Sequence, residues 1–104
     1  MSNVALYVRL EAKKGKEAEV ENFLRNGLRI AENEPSTTSW YAVRMGPSTF
    51  GIFDTFPDNN ERETHLKGEL AKALKAKTNE LFSKEPVIEK LDILAAKMPE
   101  LAHH

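Results

Sequence analysis

His65 is the one histidine inside this chain; the other two, His103 and His104, are adjacent at its end. An imidazole has the unperturbed pKa best placed to exchange a proton near neutrality, which makes His65 the candidate general base. Asp54 precedes it in TFGIFDTF, a carboxylate among Phe50, Phe53 and Phe56. A carboxylate in apolar company is either paired inside a sheet or working in a pocket. An ion pair with Arg44 or Arg9 is the expected reading, and orientation of His65 is the alternative. Trp40 is the candidate pocket wall, because adjacent Trp40 and Tyr41 must point to opposite faces of a strand. Arg44 could hold an anionic oxygen or serve an interface between subunits. Phe53 and Leu66, next in sequence to Asp54 and His65, complete the candidate ligand-contacting set of Trp40, Arg44, Phe53, Asp54 and Leu66. Each has a plainer explanation: core for the aromatic residues, sheet architecture for Asp54, and a satisfied helical residue for His65.

Several chemistries are excluded or disfavoured by composition. The absence of cysteine removes thiolate nucleophiles, Cys-ligated metals and disulfides, and fits a cytoplasmic protein. The net charge of -1, with basic and acidic residues interleaved, lacks the basic face that nucleic acid requires. No apolar run approaches a membrane span, and MSNVALYVRLEAKKG lacks the features of a signal peptide. No carboxylate or histidine cluster has metal-ligand spacing, and the five glycines are too scattered for a phosphate loop. No metal, cofactor, nucleic acid or membrane partner is therefore expected. The terminal LAHH is either native or the scar of a tag, and carries no functional weight.

These residues must be positioned by a single domain spanning 1–104, with a core from about 4 to 98. Val4 to Glu11 alternates, with Val4, Leu6, Val8 and Leu10 on one face and Ala5, Tyr7, Arg9 and Glu11 on the other. The second face is too apolar for open solvent and suits a contact with another subunit. After a turn at Gly15, Val20, Phe23, Leu24, Leu28 and Ala31 fall at helical spacing, and the helix ends before Pro35. Ser39 to Met45 and Thr49 to Phe56 form a hairpin across Gly46-Pro47-Ser48; pairing Arg44 with Phe50 puts Trp40 opposite Asp54, and a slip of one residue would swap the faces. Asp58 with Glu61 reads as a capping box, the helix breaks at Gly68, and Val87 to Met98 is the last strand. The order is βαββαβ, an α+β ferredoxin-like fold with a four-stranded antiparallel sheet and helices on one face. Two such sheets packed face to face, as a homodimer, would cover the remaining side.

The chain also resembles the antibiotic biosynthesis monooxygenase domain family of dimeric α/β barrels. The resemblance runs from about residue 4 to 98 and is carried by the Gly15 turn, GIFDTF with its acidic turn, Thr64-His65-Leu66, and IEKLDILAAKMP. It implies a homodimer with a pocket in each subunit and a monooxygenase acting on a quinol or polyphenolic aromatic, without metal or flavin. A phenolate can reduce oxygen by itself, so a base and a dry pocket suffice. Haem-degrading members use a first-strand Asn and a helical His; this chain has Tyr7 and Val8 near the first and Lys75 near the second, so it lacks both. The alternative reading is a small-molecule-binding or structural dimeric barrel with no turnover.

Overall fold

The computed structural model describes residues 3–98. The terminal histidines, His103 and His104, lie outside the described residues. The elements are β1 (Val4–Glu11), α1 (Glu17–Glu32), β2 (Ser39–Arg44), β3 (Thr49–Phe56), α2 (Asn59–Leu66), α3 (Glu69–Leu81) and β4 (Val87–Asp92). The four strands form one antiparallel sheet in the order β2-β3-β1-β4, and with the helices they make the α+β ferredoxin-like fold expected from the sequence.

Alternation sorts the strands into two faces. Leu6, Val8 and Leu10 of β1 and Phe50, Ile52 and Phe56 of β3 are buried beneath the helices. Val20 and Leu24 of α1 and Leu74 and Leu81 of α3 close over them, with Phe82 just beyond α3. Phe53 has the opposite parity and lies on the outer face with Tyr41, their ring centroids 6.5 Å apart. Gly51 is on that face too, where a Cβ would come within 3.2 Å of the Tyr7 ring. A side chain at Gly51 would crowd the Tyr7 ring and Val43.

Local sequence fixes the joints. Gly15 takes φ +86° before α1, a conformation that costs other residues strain. Asp58 caps α2 by accepting a hydrogen bond from the Glu61 N–H at 2.9 Å. Gly68, in an extended conformation, ends one helix and caps the next, so the break falls where the sequence placed it. The hairpin has the expected register, Trp40 opposite Asp54 and Arg44 opposite Phe50.

The last strand corrects the expectation. It stops at Asp92, not Met98, because Asp92 pairs with Val4 at the beginning of β1. A final bond from the Ile93 N–H to the Asn3 carbonyl closes the ladder. β1 begins at Val4, and among the described residues the ladder ends there whatever the alternation of the sequence. β4 is also an exposed edge of the sheet. No helix among the described residues is long and apolar enough to cross a membrane.

Candidate functional site

β3 delivers Asp54 to the helix side of the sheet, 1% exposed, opposite Leu6 on β1 and Trp40 on β2. Its partner arrives from α2. Arg62 and His65, three residues apart on one helix face, are the buried residues of that short helix. Arg62 pins it in place: Nη1 donates to the Ala5 carbonyl at 3.2 Å and the Leu91 carbonyl at 3.1 Å, and Nη2 to Asn59 Oδ1 at 2.8 Å. With the helix fixed, His65 Nε2 lies 3.0 Å from Asp54 Oδ2. The His65 ring also packs against Phe56, with centroids 4.9 Å apart.

The third member comes from the loop after α1. Glu34 precedes Pro35, which forces it out of the helix. Its Oε1 meets His65 Nδ1 at 2.6 Å. Thr37 Oγ1 donates to the same oxygen at 3.1 Å. The imidazole is therefore held at both nitrogens between two carboxylates. An acceptor at each nitrogen favours the form of His65 in which both nitrogens donate.

Burial opposes charge on His65, but the hydrogen bond and charge of Asp54, followed by those of Glu34, outweigh it and hold the imidazole above its usual pKa. Burial also raises the Asp54 carboxyl; His65 pulls it back without cancelling the rise, and Glu34 adds to it. Both directions mean that the pair retains protons to higher pH than its members would in water. Two neighbouring atoms are buried without a hydrogen-bond partner, Asp54 Oδ1 and Trp40 Nε1, and Arg62 Nε is a third.

The structure thus joins His65 to Asp54 and separates the other candidates; Trp40 stands opposite Asp54 on β2 and packs against the core. The arginine pairing expected for Asp54 is wrong. Arg9 sits on the opposite sheet face and pairs with Glu11. Arg44 pairs with Glu21 and lies over the Phe50 ring, 4.7 Å from its centroid. Phe53 is on the outer face, and Leu66 is half-buried at the end of α2. Glu34 and Arg62 were missed by the sequence reading. Glu34 looked like an ordinary loop residue before proline, and nothing local links it to a histidine in another helix.

Two depressions mark the surface. A groove of about 490 Å³ between α1 and α3 is lined by Asn26, Arg29, Ile30, Asn33, Glu34 and Glu69. A smaller one of about 160 Å³ lies beside Leu24, Arg44 and Phe50. The larger reaches the His65 unit at Glu34. Among the described residues no group of three or more His, Cys, Asp or Glu side chains is arranged to hold a metal ion.

Comparison with solved structures places the chain. The NE2512 protein of unknown function from Nitrosomonas europaea is 50% identical over 96% of this chain and 97% of its own, with a TM-score of 0.93. The chain belongs to the family of that protein. More distant structures share the fold. A candidate antibiotic biosynthesis monooxygenase from Nitrosomonas europaea is 10% identical, with a TM-score of 0.79 over 89% of this chain and 91% of its own. Another from Caulobacter crescentus CB15 is 20% identical, with a TM-score of 0.76 over 90% and 92%. No family model and no curated protein matches the chain.

Proposed function

We propose that this protein is a cofactor-independent monooxygenase of the antibiotic biosynthesis type, acting on a quinol or related polyphenolic aromatic. The observation that carries the reading is the buried His65 between Glu34 and Asp54. A phenol must lose its hydroxyl proton before its ring readily gives an electron to dioxygen. With both of its nitrogens facing carboxylates, His65 relays the proton rather than keeping it: a proton delivered to the carboxylate of Glu34 can be shared through the imidazole with Asp54, whose carboxyl is raised. His65 is the pivot of this base. The fold shared with candidate monooxygenases supports the reaction class. Oxygen uptake with a panel of hydroquinones, for wild type and His65→Ala, tests it; uptake that is equal in both sinks the role of His65.

A non-catalytic binding or structural role is favoured by one observation: both nitrogens of His65 are already satisfied. No uptake with any hydroquinone would select it. In either case we propose a cytoplasmic homodimer joined through the outer sheet face, where Tyr7, Tyr41, Phe53 and Val43 form an apolar surface. Light scattering should give twice the chain mass, and Phe53→Glu should halve it.

A further inference from the structure

We propose that the groove between α1 and α3 binds an aromatic ring bearing hydroxyl groups, and that Glu34, not His65, is the residue that receives the ligand's hydroxyl. The groove, at about 490 Å³, is within the size range of small-molecule sites and exceeds what one ring needs. Its lining mixes the amides of Asn26 and Asn33 and the guanidinium of Arg29 with the carboxylates of Glu34 and Glu69, around apolar Ile30. Such a wall suits a ring whose hydroxyls both donate and accept. A wholly apolar ligand would strand those groups, and a multiply charged anion would meet two carboxylates.

Glu34 is the way into the buried unit. His65 is 8% exposed and has carboxylate oxygens at both nitrogens, so a ligand oxygen cannot reach the ring without breaking one of those contacts. The hydrogen bonds to Glu34 from His65 and Thr37 both fall on Oε1. Oε2 lies instead beside Gly68, where a Cβ would stand 3.2 Å away. A ligand O–H can donate to this carboxylate while His65 and Thr37 hold it still. Preorganised in this way, the carboxylate needs no rearrangement on binding. Gly68 caps α3, and the helix N-terminus favours negative charge at this spot.

The inference takes only the class of ligand from the proposed activity. The probe is catechol, titrated without oxygen into the full chain labelled with ¹⁵N, with 1,2-dimethoxybenzene as the control that has the same ring but no O–H. Amide signals of Asn26, Arg29, Asn33 and Glu34 should shift with catechol, together with the ring nitrogens of His65, while Arg44 and Phe50 stay still. The dimethoxy compound and the variants Glu34→Gln and Gly68→Ala should each weaken binding about tenfold, the scale of one hydrogen bond to a charged group. Shifts at the Arg44 groove, no shifts at all, or equal affinity for both compounds would overturn the proposal. Binding in the groove without oxygen uptake would remove the activity and leave this site standing.

Discussion

His65 Nε2 and Asp54 Oδ2 lie 3.0 Å apart, so the end of a helix and the middle of a strand are joined through one proton inside the core. Removing one partner of a buried pair leaves the other uncompensated, at a cost of about 3–5 kcal/mol. His65→Ala should therefore lower the melting temperature by more than about 10 °C. Replacing both partners, His65→Phe with Asp54→Leu, should recover part of the loss, because no buried charge is then stranded. A single-variant cost below about 1 kcal/mol would show that the pair contributes little stability.

The same contacts set the pH dependence of stability. The folded state raises the pKa of His65 above the ordinary value of 6.5, so its contribution is complete below that value and fades as pH climbs through the folded one. Asp54 is raised as well, from 3.8, and its contribution fades in the same direction. The difference in melting temperature between wild type and His65→Gln should be largest in mildly acid solution and shrink on the alkaline side. A gap that widens with rising pH contradicts the assignment.

Trp40 should tolerate loss of its indole nitrogen. Its Nε1 is buried without a partner, so Trp40→Phe removes an unsatisfied donor along with some packing, and the two effects oppose. Stability in urea should change by less than about 1.5 kcal/mol, whereas Trp40→Ala should cost about 3 kcal/mol or more. A large loss in the phenylalanine variant would mean that the N–H has a partner in solution.

Arg62 should not be replaceable by lysine. Its Nη1 reaches the carbonyls of Ala5 and Leu91 on β1 and β4 while Nη2 reaches Asn59, a spread that one ammonium cannot copy. Arg62→Lys should cost about 2 kcal/mol in urea unfolding. Amides of β4 should lose protection from hydrogen exchange first.

The sequence made the architecture readable where the rules are local. Alternation in Val4–Glu11, the Asp58–Glu61 cap and the length of the 46–48 turn each determine their own geometry. Parity could have done more. Arg9 is of the wrong parity to meet Asp54 across β1 and β3, whose opposed pair is Leu6 and Asp54. Arg44 shares the Asp54 face but is opposite Phe50, four residues along β3 and so about 13 Å away. The end of β4 depended on where another strand began, and Glu34 on a contact between helix and loop 31 positions apart. Neither kind of information is present in a window of sequence.

That separation has a further meaning in a chain with no cysteine. The contact between Glu34 and His65 cinches a segment of the length that disulfides close in other small domains, and Thr37 sits inside the knot. Unlike a covalent cross-link, this one is fastened by a proton, so its tightness is set by the acidity of the surroundings and not by their redox state.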